Sequence, residues 1–217
     1  VWDMAYPNAR QFDEDWWYNS ALAGPKALPG NYVVKLMKGD TLLMKRTFSI
    51  VLNPKVHSSQ EDLKAQFDLM RKVNLKLNEV TTAIVRIRAV RSQVNAFIGS
   101  FSDSTKIKSL KDVAKPLLDS LEEIEDTLVQ VKAKSSEDDL RYPMQMIERI
   151  CALQDFIRSS DSRPTQQMTV VYNELAARTD AHLKRLQPVY EKQVPAFNEV
   201  ANRMKLPIVD PGRAVKE

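Results

Sequence analysis

Between residues 59 and 101 the apolar positions Leu63, Phe67, Met70, Val73, Leu77, Val80, Ile84, Ile87, Val94, Phe97 and Phe101 recur every three or four residues. That spacing predicts one amphipathic helix near the heptad rhythm of a bundle seam, not the two-residue alternation of a strand. No Pro interrupts it, and no Gly stands before Gly99. At about 1.5 Å per residue the rod would span ~60 Å. A rod of that length needs partners along it, because propensity alone does not hold a helix in water. Ser58-Ser59-Gln60-Glu61 reads as a capping box, with Ser58 as N-cap and Glu61 reaching back.

Three more helical patterns follow. Residues 106–134 carry Ile107, Leu110, Ala114, Leu117, Leu121, Ile124, Leu128 and Val131 at helical spacing, with Pro116 set to kink the helix or lie in its first turns. A shorter helix begins at Leu140 or Pro143 and ends near Ser159, turning Ile147, Ile150, Leu153 and Ile157 inward. A long one starts at Ser162-Arg163-Pro164, with Pro164 suited to the first helical position. It offers Met168, Val171, Leu175, Leu183, Leu186, Phe197 and Val200 to a core and meets kinks at Pro188 and Pro195. Short connections predict antiparallel neighbours, hence an up-down-up-down four-helix bundle over 57–206 with long first and last helices and a frayed tail over 207–217.

Residues 1–56 have a β and loop texture. Trp2, Met4 and Tyr6 alternate up to Pro7, as in a short strand. Strands are predicted over 32–37 and 42–51, with Tyr32, Val34 and Leu36 on one face and Lys38-Gly39-Asp40-Thr41 as the hairpin turn. Two or three strands bury too little to be stable alone. Either they lean on the helices or the rest of their sheet lies upstream of Val1. The opening inside a strand favours the second, and the lack of an initiator Met marks a processed product or an excised piece.

Composition narrows the function classes. The 217 residues are 43% hydrophobic and 28% charged, an ordinary globular balance. No apolar run reaches the roughly eighteen residues of a spanning helix, and no signal peptide is visible. The net charge of +4 is spread through mixed charges, so neither a nucleic-acid partner nor a membrane span is expected. The lone Cys151 excludes an internal disulfide and a multi-cysteine zinc site. His57 and His182 lack a second His or Cys at ligand spacing, and no metal or cofactor is expected.

The acid runs Asp13-Glu14-Asp15 and Glu137-Asp138-Asp139 lack the spacing of a calcium loop and read as loop or capping groups. Lys108, Lys111 and Lys115 share a helix face, while Arg86, Arg88 and Arg91 crowd one segment; both read as bundle surface. Lys38-Gly39-Asp40 needs no explanation beyond a hairpin tip. Cys151 reads as a small core residue. No nucleophile set or phosphate-binding glycine loop is present. The local oddity is aromatic: Trp2, Tyr6, Trp16, Trp17 and Tyr18 form a seam between β and helical parts, or a surface for carbohydrate. Trp16, Trp17 and Tyr18 are the candidate ligand or interdomain contact.

A series then stands out: Val1-Trp2-Asp3-Met4 with Tyr6-Pro7, Gly24-Pro25, Pro29-Gly30-Asn31-Tyr32 with Val34 and Leu36, and Asn53-Pro54-Lys55 before the long helix. It resembles the C-terminal region of bacterial secreted proteins with BNR-type or sortilin (Vps10)-like β-propellers, often labelled glycosyl hydrolases. Looser matches follow at Tyr142-Pro143, Arg163-Pro164-Thr165 and Val194-Pro195-Ala196-Phe197-Asn198. Ala5 stands where the family has a basic residue, and Asn53-Pro54-Lys55 where it has Asp-Pro-Arg.

The resemblance implies part of an immunoglobulin-like sandwich over 1–56, followed by the helical bundle. It implies an extracytoplasmic, periplasmic or secreted location. The implied partners are an upstream propeller and the remainder of the sandwich. Any hydrolase chemistry would belong to the propeller, so the expected role here is non-catalytic: a structural or interaction module. The alternatives are a carbohydrate-binding accessory module using Trp16, Trp17 and Tyr18, and a self-contained helical bundle that engages a protein through its lysine face.

Overall fold

The computed structural model of the chain describes residues 1–11, 22–101, 108–133 and 136–203. The chain is mostly helical with one small two-stranded antiparallel sheet. In order come β1 (Gly30–Lys38), β2 (Thr41–Ile50), α1 (Gln60–Gly99), α2 (Lys108–Leu128), a 3-10 turn (Ser136–Leu140) and α3 (Met146–Arg158). Then α4 (Gln166–Pro188) passes through a π turn (Val189–Gln193) into α5 (Val194–Arg203). The predicted interruption at Pro188 and Pro195 is this π turn. Neither proline has an N–H to give to the turn before it, and the Val194 amide bonds back five residues to the Val189 carbonyl.

The 40-residue helix α1 is continuous, as its pattern requires. Its capping box sits one residue later than expected: Ser59 accepts from the Asp62 amide, and the Asp62 carboxylate accepts from the Ser59 amide. Ser58 is engaged elsewhere, its hydroxyl donating to the Asp161 carbonyl at 2.5 Å. A similar shift occurs at α4, where Thr165 is the N-cap and Pro164 precedes it. Helix α3 starts at Met146, after the expected start near Pro143.

Helix directions follow from paired contacts. Lys72, Lys76 and Arg86 of α1 meet Tyr172, Asp180 and Tyr190 in the same order, so α1 and α4 run parallel. Arg88 and Arg91 meet Glu125 and Glu122 in reverse order, so α2 descends along the later half of α1. Gln66, near the start of α1, donates to the carbonyls of Ile157 and Ser160 at the end of α3. The Glu148 carboxylate at the start of α3 accepts from the Gln130 amide just past α2, at 2.7 Å. So α3 descends as well, below α2.

Four helices thus occupy three lanes, and the expected up-down-up-down alternation is up, down, down, up. Length is the reason. With 21 and 13 residues, neither α2 nor α3 can cover a 40-residue neighbour, so they share the task end to end.

The shared core runs through all lanes. Val73, Leu77, Val80, Ile84 and Ile87 of α1 are fully buried, with Leu117, Leu121, Ile147 and Phe197 against them. Val90 belongs to it too, while Val171, expected inward, is exposed. The N-terminal segment forms no regular strand where Trp2, Met4 and Tyr6 alternate. Met4 has φ +60, and only Ala5 bridges across, to Lys26. An irregular antiparallel ribbon results, held by Ala9 N–H to the Leu22 carbonyl, Tyr6 N–H to Pro25 and Ala27 N–H to Met4. Gly24 is required there, since a Cβ would lie 2.0 Å from the Tyr6 carbonyl oxygen. The ribbon buries Ala9 and Leu22 in the core. It ties to α3 through Gln154, which donates to the Ala23 carbonyl.

Candidate interaction site

The hairpin β1–β2 grows out of this ribbon. Alternating apolar and polar residues on both strands favour an extended pair. The turn suits it: Gly39 takes φ +56 at the first of the two loop positions while Asp40 keeps a negative φ, the pattern of a II′ turn. The register is Tyr32↔Phe48, Val34↔Arg46, Lys35↔Lys45 and Leu36↔Met44, shifting past Leu36 so that Met37 faces Leu42 and Leu43 is the extra residue. The root is anchored. Gln60 donates to the Pro29 carbonyl at 3.1 Å, the Tyr32 hydroxyl donates to the Leu28 carbonyl at 2.8 Å, and the Ser49 hydroxyl donates to Asn31 at 2.6 Å.

Opposed residues share a face. One face carries Tyr32, Phe48, Val34, Arg46, Leu36 and Met44. At its root Trp2 closes on Tyr32 and Phe48, with ring centroids 5.6 and 6.1 Å apart. Beyond that aromatic group the face is open: Val34 is 55% exposed, Leu36 56% and Met44 52%. The other face carries Asn31/Ser49, Val33/Thr47 and the opposed cations Lys35/Lys45. Among the described residues neither strand pairs along its outer edge with another strand. Among them, too, no carboxylate forms an ion pair with Lys35 or Lys45. A hairpin with an apolar face in water and a like-charged pair across its strands is poorly stabilised alone. It is well suited to being covered.

The residues singled out from the sequence fall in several places. Trp16, Trp17 and Tyr18 lie outside the described residues, as do Asp13, Glu14 and Asp15. Trp2 and Tyr6 are seam aromatics: Trp2 rests on the hairpin root and Tyr6 meets Phe67 of α1 edge to face at 5.1 Å. His57 is exposed. His182 is half-buried, and its Nδ1 finds no hydrogen-bond partner. Burial, then Arg185 and Arg178, hold its imidazole below the ordinary range. Cys151 is buried in the core, where desolvation pushes its thiol far up.

The arginine cluster is an interhelical clamp. Arg88 and Arg91 close on Glu125, while the Arg86 guanidinium stacks 4.1 Å over the Tyr190 ring. Lys115 pairs with Asp119 at 2.7 Å, so the lysine face is partly compensated. Among the described residues no three His, Cys, Asp or Glu side chains converge as a metal site. Among them, too, no helix is long and apolar enough to cross a membrane.

Two features were missed in the pattern along the chain. Lys76 is a nearly buried cation held by Glu79 and Asp180 at 2.5 and 2.7 Å. Burial pulls its ammonium down, and the two carboxylates more than offset this, leaving it raised. An open cleft of about 830 Å³ runs between α1 and α4, lined by Leu75, Ala83, Arg86, Leu183, Leu186 and Tyr190. Burial pushes the Tyr190 phenol up to about 12, and its hydroxyl has no hydrogen-bond partner. The hairpin's role was missed for a different reason: its cross-strand pairing, not the composition of either strand, creates the contrast between faces. No family model, no curated protein and no solved structure matches this chain.

Proposed function

We propose that this chain is a non-catalytic structural and interaction module, in which a four-helix bundle carries a β-hairpin that is completed by strands of a partner sheet. The single observation behind this reading is the open apolar face of β1–β2, with Val34, Leu36 and Met44 each about half exposed or more. At about 25 cal/mol per Å² of apolar surface, covering such a face is a sizeable driving force. The helices are already packed on one another, so the unfilled demand for burial lies on the hairpin.

The sheet so completed is, in this proposal, an immunoglobulin-like sandwich. The resemblance to the C-terminal region of secreted BNR-type and sortilin-like propeller proteins supplies its context: an extracytoplasmic polypeptide, often labelled a glycosyl hydrolase, whose other domains flank this one. The glycan-binding alternative rests on Trp16, Trp17 and Tyr18, outside the described residues, and gains no support from the hairpin.

The test is the native polypeptide. Immunoblotting of fractionated source cells is expected to give a band several times heavier than 24.8 kDa, outside the cytoplasm. Hydrogen exchange on that polypeptide is expected to show protected amides over β1 and β2, with fast exchange there in the isolated chain. A cytosolic band near 24.8 kDa with an unprotected hairpin overturns the reading.

A further inference from the structure

We propose that the occupant of the hairpin is an acidic extended segment that adds as a third strand along the free edge of β1, its residues alternating apolar and carboxylate. This rests on reading the hairpin as a docking element and goes further by assigning the partner's chemistry. On β1 the apolar face presents an unbroken row, Tyr32, Val34 and Leu36, whereas the matching row on β2 is interrupted by Arg46. The opposite face presents Lys35, with Lys45 directly across from it. Side chains alternate across a strand. A neighbour on β1 would therefore place every second residue on the apolar row and the residues between beside Lys35. Apolar residues suit the first set and carboxylates the second. Such a strand also supplies backbone partners to the β1 edge, the mode of strand addition.

The charge on the hairpin decides between occupants. Lys35, Lys38, Lys45 and Arg46 face only Asp40 within the two strands and their turn. A second copy would bring like charges together, which opposes self-pairing. An anionic lipid surface would answer the lysines but not the unpaired N–H and C=O groups of a sheet edge, which hydrocarbon leaves unsatisfied. An acidic strand answers both.

The test uses the full chain and two short synthetic peptides, one alternating valine with glutamate, the other valine with lysine. Binding is read from amide chemical shifts over β1 and β2. The glutamate peptide is expected to bind at least about fivefold more tightly at low salt, with the preference shrinking as salt screens it. In the double variant Lys35→Glu/Lys45→Glu the preference is expected to reverse, with unchanged helical circular dichroism showing that the bundle is intact. Equal binding of both peptides overturns the acidic assignment and leaves the hairpin as a docking element. Binding of neither, with concentration-dependent dimers or adsorption to phosphatidylserine vesicles that Leu36→Lys abolishes, assigns the face to another copy or to lipid and overturns the proposal. The docking reading itself is decided separately, by exchange protection in the native polypeptide.

Discussion

The Arg88 side chain of α1 donates from Nε to Glu125 Oε1 of α2 at 2.6 Å, and Arg91 closes on the other oxygen of the same carboxylate. Glu125 is 2% exposed, while the two arginines keep about a third of their side-chain surface in solvent. One buried acid thus fixes the register of two helices from two turns of α1. Replacing Glu125 by Ala leaves two cations facing each other over a desolvated space. The expected loss is about 3 kcal/mol, the low end for a broken buried pair because the arginines stay partly solvated. Urea unfolding checks it; a loss under about 1 kcal/mol would place this clamp among ordinary surface pairs.

Gly24 and Gly99 make a matched pair of tests. A Cβ at Gly24 would lie 2.0 Å from the Tyr6 carbonyl oxygen and 2.5 Å from that of Pro7. Gly24→Ala is therefore expected to pry the N-terminal ribbon off α3 and cost about 1–3 kcal/mol. At Gly99 a Cβ meets nothing within 4 Å. Gly99→Ala, at the end of α1, is expected to be neutral or to stabilise by up to about 1 kcal/mol. Equal effects at the two positions would contradict the packing of the ribbon.

His182 gives the fold a pH dependence of known sign. In the unfolded chain its imidazole titrates near about 6.5. In the folded chain burial, then Arg185 and Arg178, hold it lower. The unfolded state takes up the proton more readily, so the contribution is full above the unfolded value and is lost as pH falls through it toward the folded one. The urea midpoint is expected to fall between about pH 8 and about pH 5.5, and His182→Leu is expected to flatten that fall. Equal slopes for the two proteins would remove His182 from the account.

Cys151 reports on the core. It is buried, and desolvation keeps its thiol protonated, so the reactive thiolate is scarce. Modification by a thiol reagent is expected to be slow in the native protein and to accelerate along the same urea curve as the loss of helical signal. Fast labelling of the native protein would mean that the α3 lane opens on its own.

The hairpin behaves oppositely to the core. Leu36→Thr and Met44→Thr change exposed positions and are expected to alter stability by no more than about 0.5 kcal/mol. They are expected to raise solubility and to weaken association with the partner sheet. A substantial loss of stability would mean that the face is already covered in the free chain.

How far the sequence reveals this molecule depends on which interactions are local. Helix α1 was legible because its apolar residues repeat at one period over 40 positions with no proline. The turn at Gly39 was legible because few residues other than glycine take its φ comfortably. Cap positions slipped by one residue because Ser58 and Ser59 are equivalent in sequence, and only Asp161, far along the chain, distinguishes them. Helix order was misread because short connections do not say whether a chain reverses or continues. The interaction face was half legible: Tyr32, Val34 and Leu36 were placed together, but Phe48, Met44 and the Lys35–Lys45 opposition exist only through register.

The end-to-end placement of α2 and α3 makes the bundle two storeys on two shared columns. The lower storey joins the start of α1, α3, the start of α4 and the ribbon; the upper joins the rest of α1, α2 and α5. Only α1 and the α4–α5 rod run through both, so cooperativity between the storeys travels along those columns and through the joint at Gln130 and Glu148. The hairpin is rooted in the lower storey, through Gln60 at the start of α1. Tension applied through a covered hairpin would load that storey first, and the upper one could stay folded while the lower one yields.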